Sequence, residues 1–221
     1  MSQRRLAVTR ILVHEAGRAI RSTLVLWIIT ALIYPFGMIT FGQLVLPAPA
    51  NGSLITRSGE YTAKNSEVVG STLIGQPFIS FSYFNSRPSS TNYSTADPKK
   101  DDAGVLKTGV SGASNINATN PALLDRIQGK TDGLPRLLRL GIQPTADLLY
   151  TSGSGIDPHI TPEAARAQIA RVVKARRLQR DQVQDLINKN TDGRFLGIFG
   201  EPGVNVLKIN LALDALKPLV K

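Results

Sequence analysis

No cysteine occurs among the 221 residues, which excludes disulfides, thiol catalysis and cysteine-ligated zinc and leaves the chain to be held by packing alone. Histidine is scarce too. His14 and His159 are the two in the sequence, and neither stands in a zinc-type ligand spacing. Aromatic residues make up 6%, with one tryptophan, and they are not interleaved with the basic residues, so the net charge of +10 does not describe a nucleic-acid surface. No G-x-x-x-x-G-K-[ST] string and no full G-x-G-x-x-G is present, which removes the usual nucleotide loops. Between Thr23 and Leu46 there is no charged side chain at all.

That last absence is the strongest physical signal. The 24 residues TLVLWIITALIYPFGMITFGQLVL, as a helix rising about 1.5 Å per residue, would reach about 36 Å, enough to cross a hydrocarbon core of about 30 Å. A core helix of a soluble protein rarely stays apolar all round for so long. A cleaved signal peptide is the rival reading, because Ala48-Pro49-Ala50 has the small-x-small form of a cleavage site. The length of the run and the prolines at 47 and 49 favour retention. Before the span stand Arg4, Arg5, Arg10, Arg18 and Arg21 against the single Glu15, and no basic residue lies between Leu46 and Arg57. Basic residues near a membrane end stay cytoplasmic. The expected organisation is therefore a cytoplasmic basic leader at 1–22, a transmembrane helix at 23–46 and an extracytoplasmic domain at 47–221.

Within the span, Thr23, Trp27, Thr30, Tyr34 and Gly37 recur at offsets of 4, 7, 11 and 14, a helical face of small, polar and aromatic side chains suited to a partner helix. The alternative is a lipid-facing Trp27 with no partner. Pro35 removes one backbone hydrogen bond and predicts a bend.

Beyond the span the pattern alternates. Pro47 to Gly52 reads as a stiff exit, and Val68–Phe84 as short strands and turns. Ser89–Asn120 reads as a long surface loop, and a helix begins at Pro121. Gly129 to Pro144 reads as irregular or partly helical, and Asp147–Tyr150 as a brief strand. The clearest helix follows Thr161, a capping residue, with Pro162 at its first position and Glu163 in its first turn. Ala164, Ala165, Gln168, Ile169, Val172 and Val173 form its apolar stripe, and Arg166, Lys174, Arg176 and Arg177 a basic outer surface. A second helix is expected at Asp181–Asn188, a strand at Val204–Ile209 and a last helix at Leu211–Leu216. The fold class is α/β or α+β, one compact domain behind one membrane helix.

Ser152, Ser154, Asp157 and His159 supply the residue types of a hydrolase triad within eight positions. Their crowding into a glycine-rich turn argues against convergence on one substrate, and for turn and cap roles. Gly153-Ser154-Gly155 ahead of the Thr161 helix has the look of an anion loop but reads better as a flexible turn. No cofactor, metal or catalytic residue is assigned. The acceptors Asn51-Gly-Ser53, Asn92-Tyr-Ser94 and Asn117-Ala-Thr119 match a glycosylation pattern that a bacterial chain would carry by coincidence.

A set of ordered blocks goes further. Tyr34-Pro35 is followed by ANGSLI at 50–55, GSTLIGQPF at 70–78 and YFNSRPSS at 83–90. SGASNINATNPAL at 111–123, TSGSGIDPHITPEAARAQIARVVKARRL at 151–178 and GEPGVNVLKINLALD at 200–214 complete it. From Tyr34 onward the chain resembles the C-subunit family of Kdp-type potassium pumps, departing from it in DPKKDD at 97–102 and LPRLLRLG at 134–141. The resemblance implies an accessory subunit, without catalysis of its own, of a bacterial plasma-membrane pump. Its partners would be a channel-like potassium-binding subunit and a P-type ATPase subunit, which handle potassium and ATP. It further implies a catalytic-chaperone role that raises ATP affinity, with Gln168 at the position of a proposed nucleotide contact. The membrane orientation places Gln168 outside, away from cytoplasmic ATP, so coupling through the membrane and a purely structural hydrogen bond both stand as readings of it. A membrane-tethered hydrolase or adaptor is the alternative class.

Overall fold

A computed structural model describes residues 2–94, 110–128 and 134–216. The chain divides into two compact units, Met1–Asn51 and Gly52–Lys221.

The first unit is helical from its start. Helix α1 (Ser2–Ile28) runs into a π-helical turn (Ile29–Ile33), then α2 (Tyr34–Val45) and the single turn α3 (Pro47–Ala50). From Ser2 the basic leader is helical and continuous with the apolar run. Leu12–Val45 is long and apolar enough to cross a membrane, and none of its most apolar stretch is buried within the structure. The π turn has a local cause. Pro35 has no N–H to give the preceding turn and its ring crowds the carbonyl four residues back. A wider turn just ahead of it, in which the Tyr34 N–H reaches the Ile29 carbonyl, opens the helix there. The expected stiff exit is instead α3, with Asn51 folded back to donate to the Pro47 carbonyl at 2.7 Å and to Gln43 Oε1 at 3.0 Å.

The second unit is α+β. Strands β1 (Leu54–Ile55) and β2 (Gly70–Ser71) form one antiparallel pair. Strands β3 (His159–Ile160), β4 (Thr191–Asp192) and β5 (Gly203–Asn205) form an antiparallel sheet of order β3-β5-β4. Around them lie α4 (Pro121–Gln128), α5 (Leu134–Arg139), α6 (Ala146–Leu149), α7 (Pro162–Arg176), α8 (Arg180–Lys189) and α9 (Val206–Leu216). The core joins Ile160 and Val204 of the sheet to Ala165, Ile169 and Val172 of α7, Val183 and Ile187 of α8, and Ile209 and Leu213 of α9. Phe84, from a segment with no regular structure, is fully enclosed among them.

Three expectations are corrected. The segment around Asp147–Tyr150 is a helical turn, α6, whose Asp147 carboxylate accepts the Thr161 N–H at 2.7 Å. The strand expected at Val204–Ile209 ends at Asn205, because the Asn205 side chain accepts the Lys208 N–H at 3.1 Å and so caps a helix. Within Val68–Phe84, the two residues of β2 are the strand pairing seen. DPKKDD at 97–102 lies outside the described residues, whereas LPRLLRLG contributes α5 and its buried Leu137.

Candidate functional site

Helix α7 begins as its sequence dictates, with the Thr161 hydroxyl accepting the Ala164 N–H at 3.2 Å and Pro162 in the first turn. It turns Ala164, Ala165, Gln168, Ile169 and Val172 inward. Gln168 is fully buried, and its carboxamide is completely engaged. Oε1 accepts the Asn85 N–H at 2.8 Å and Arg171 Nη2 at 2.7 Å, while Nε2 donates to the Asn85 carbonyl at 3.2 Å and the Ala164 carbonyl at 3.3 Å.

The inward face of α7 is also more basic than expected, since Arg171 and Arg176 are buried. Arg171 Nη1 donates to the Ser80 carbonyl at 3.2 Å and its Nη2 to the Tyr83 carbonyl at 2.8 Å, and the buried Nε has no partner among the described residues. Burial, and then the charge of Arg136, lower its pKa from the usual value to about 10. It is therefore cationic at neutral pH. Arg176 lies 4.7 Å over the Tyr83 ring, donates to the Ser82 carbonyl at 2.6 Å and pairs with Asp214 at 2.7 Å. Tyr83 donates to the same carboxylate at 2.9 Å, and burial followed by this contact raises the phenol pKa. From α9, Asn210 accepts the Phe84 N–H at 2.8 Å and donates to the Phe84 carbonyl at 2.9 Å.

These contacts form a frame around residues 80–85. The stretch runs from exposed Ser80 and Phe81 to buried Phe84 and Asn85, and a chain that enters the core with no ladder must satisfy its N–H and C=O groups by other means, which side chains of α7 and α9 supply here. Sequence reasoning singled out Gln168 and missed Arg171, Asn205, Asn210 and Asp214. A signal was there: Asn205 and Asn210 interrupt the stretch VNVLKINLAL, in which Lys208 is the one other polar residue.

The serine, aspartate and histidine cluster is brought together but not as a triad. Ser152 Oγ accepts the Gly155 N–H at 3.1 Å, Ser154 Oγ accepts the Ile156 N–H at 3.2 Å, and the two hydroxyls are 3.0 Å apart. His159 Nε2 faces Asp192 at 3.0 Å, and Asp157 accepts the His159 N–H and pairs with Arg87 at 3.1 Å. The Gly153-Ser154-Gly155 loop is filled by protein. The Ser154 carbonyl takes the Gly112 N–H at 2.7 Å, and the Gly155 carbonyl takes the Thr91 hydroxyl at 3.2 Å. An open cleft of about 360 Å³ lies elsewhere, at the first turns of α7 and α8, walled by Thr145, Glu163, Arg166 and Arg180 but not by Gln168. Among the described residues, no group of three or more acidic, histidine or cysteine side chains is placed to hold a metal ion.

In the first unit the stripe Thr23, Trp27, Thr30, Tyr34, Gly37 is exposed and straddles the π turn. One extra residue per turn rotates the helix beyond it by about 100°. Thr23, Trp27 and Thr30 thus share one strip and Tyr34 and Gly37 another. The Thr30 hydroxyl donates to the Leu26 carbonyl at 2.8 Å, and nothing lies within 4 Å of where a Gly37 side chain would start.

The family model described as "KdpC: K+-transporting ATPase, c chain" matches residues 16–215. A protein of Microcystis aeruginosa named "Potassium-transporting ATPase KdpC subunit" is 66% identical over 212 residues, spanning 92% of this chain and 96% of the relative. "Potassium-transporting ATPase KdpC subunit 1" of Nostoc sp. is 64% identical over 205 residues, 93% of this chain and 98% of the relative. A "Potassium-transporting ATPase KdpC subunit" from Rhodopseudomonas palustris is 41% identical over 209 residues, 93% of this chain and all of the relative.

Proposed function

Because the chain belongs to the KdpC family of K+-transporting ATPase c chains, we propose that it is a non-catalytic accessory subunit that holds the other chains of the pump in a competent arrangement. It is anchored in a bacterial plasma membrane by the helix through Leu12–Val45, with the arginine-rich end in the cytoplasm and the Gly52–Lys221 unit outside. Ala48-Pro49-Ala50 is retained: its helical turn, closed by Asn51 on Pro47 and Gln43, is not the extended form a peptidase takes.

One observation carries the reading. Among the described residues, the side chains of the Gly52–Lys221 unit that sequence and burial single out are engaged in holding its own backbone, as Gln168, Arg171, Asn210, Ser152 and Ser154 are. A group already hydrogen-bonded and buried is a poor nucleophile, base or ligand donor without a rearrangement. The partners are a channel-like potassium-binding chain and an ATP-hydrolysing P-type chain. Any effect on ATP affinity is a coupling free energy transmitted through the membrane bundle, and Gln168 serves structure rather than nucleotide.

The test is co-isolation in detergent with identification of every copurifying chain. The two large pump chains are expected, with no ester or peptide hydrolysis by this chain alone. Protease added to intact spheroplasts should digest the Gly52–Lys221 unit. Full protection would reverse the orientation, and turnover abolished by Ser154→Ala would replace the accessory reading with a hydrolase.

A further inference from the structure

Between β4 and β5 the chain makes a hairpin whose tip is almost wholly apolar. Phe195 and Phe199 bridge each other, with the Phe195 N–H on the Phe199 carbonyl at 2.8 Å and the reverse bond at 2.9 Å. Phe195, Leu196, Ile198 and Phe199 are 70%, 74%, 72% and 61% exposed. Together they present roughly 500 Å² of apolar surface, the size at which an exposed patch stops being incidental. Leu196 also holds a left-handed backbone, with φ of 54°, a conformation that favours glycine or asparagine. A strained leucine that leaves 74% of its surface exposed gives the fold little, so the side chain serves something outside the fold.

We propose that this knob docks into a neutral apolar crevice on another chain of the same ATPase, an assignment that rests on the accessory-subunit reading above. Charge decides against a lipid surface. Arg194 pairs with Glu201 at 2.9 Å across the base of the hairpin, and Asp192 is faced by Lys208 at 3.9 Å and His159 at 3.0 Å, so the base carries no basic surplus to draw it to anionic headgroups. Shape decides against a second copy, because a convex tip is not self-complementary. The cleft at α7 and α8 is no receptacle either, because Glu163, Arg166 and Arg180 wall it. An aromatic and aliphatic knob with a paired charge rim has the composition of an interface hot spot in search of an apolar pocket.

The experiment uses the full chain co-expressed with the other chains of the ATPase. A photoreactive phenylalanine analogue placed at Leu196 should cross-link to another ATPase chain, and cross-links confined to lipid or to a second copy would overturn the proposal. In parallel, the combined change Phe195→Ser, Leu196→Ser, Ile198→Ser and Phe199→Ser should lower the amount of this chain retained with the purified ATPase at least tenfold while the melting temperature of the isolated full chain stays put. Retention equal to the unaltered chain's would overturn it. If the unaltered chain itself were not retained, the accessory reading would fall, and the knob assignment with it.

Discussion

Gln168 on α7 and Asn210 on α9 grip adjacent residues of one irregular segment, each closing a two-point pair with a backbone. Gln168 takes the N–H and C=O of Asn85 at 2.8 and 3.2 Å, and Asn210 takes those of Phe84 at 2.8 and 2.9 Å. Two carboxamides from different helices thus replace the two neighbouring strands that a sheet would provide. The segment is buried because Phe84 must enter the core, and its polar backbone enters with it. All four members of the arrangement are buried, in the low-dielectric interior where an unpaired amide is costly.

Truncating either carboxamide should therefore unsettle the fold in the same way. Gln168→Ala and Asn210→Ala each leave a buried N–H and a buried C=O unpaired, at a cost of about 3 kcal/mol, or roughly 10 °C in melting temperature for a domain of this size. The half-saturating ATP concentration of the assembled pump should change less than about twofold in both variants, corresponding to about 0.4 kcal/mol of coupling. Melting curves and ATP titrations check it. A large rise in half-saturating ATP for Gln168→Ala alone, at unchanged melting temperature, would establish nucleotide contact.

The two glycines of the 153–155 loop should respond differently. A Cβ at Gly155, whose φ is +71°, would stand 2.5 Å from Thr91 Oγ1 and 2.7 Å from the Gly112 carbonyl, whereas nothing lies within 4 Å of one at Gly153. Gly155→Ala is expected to destabilise by about 2–3 kcal/mol and Gly153→Ala by less than about 0.5 kcal/mol. Denaturant midpoints of the two variants measure the difference. Equal effects would mean that the loop is not packed against the 89–91 and 110–112 segments.

What could be read in the chain was whatever local rules decide. The Thr161 cap, Pro162 and the inward stripe of α7 all follow from spacing, as does the apolar span. What could not be read depends on distant partners. Arg171 and Arg176 look like outer-surface residues until carbonyls at 80–83, some ninety positions away, are placed beside them. Val204–Ile209 is β-branched enough to read as a strand, but Asn205 caps Lys208, and Val206, Leu207, Ile209, Asn210 and Leu213 then fall on one helical face. The π turn was foreshadowed by Pro35 only as a bend, so the rotation it imposes on the Thr23–Gly37 stripe was hidden.

Alkaline titration offers a check on the Arg176, Asp214 and Tyr83 contacts. Burial raises the pKa of Tyr83, with the Asp214 contact adding to it and Arg176 opposing, and burial raises that of Tyr93 with Arg136 opposing. A phenol whose folded pKa lies above its unfolded value near 10 favours the protonated folded state. The stability it contributes is thus complete below pH of about 10 and is lost as pH rises through the folded value. Phenolate absorbance of the full chain should show components above the ordinary range that disappear in Tyr83→Phe and Tyr93→Phe. In Asp214→Asn the Tyr83 component should move down, since the carboxylate that opposes a second negative charge is gone. No movement would break the assigned pairing.

The membrane helix yields the last prediction. Its two strips, Thr23, Trp27 and Thr30 up to the start of the π turn and Tyr34 and Gly37 after it, are proposed as partner faces, and their rotation by about 100° gives each strip a different neighbour. The Thr30 hydroxyl already donates to Leu26, so a neighbour at that strip gains close packing from it rather than a donated hydrogen bond. Gly37 has open space above it, and close approach there requires that the space stay empty until a partner backbone fills it. Gly37→Leu should therefore hold a partner helix off and reduce the chain recovered with the purified ATPase several-fold. Thr30→Leu should weaken assembly less, because a threonine already occupies part of the volume. Gly17→Leu, on the same helix with nothing within 4 Å and outside both strips, is the control and should leave recovery unchanged. Recovery insensitive to Gly37→Leu and Thr30→Leu alike would remove both strips as partner faces and leave assembly to the Gly52–Lys221 unit.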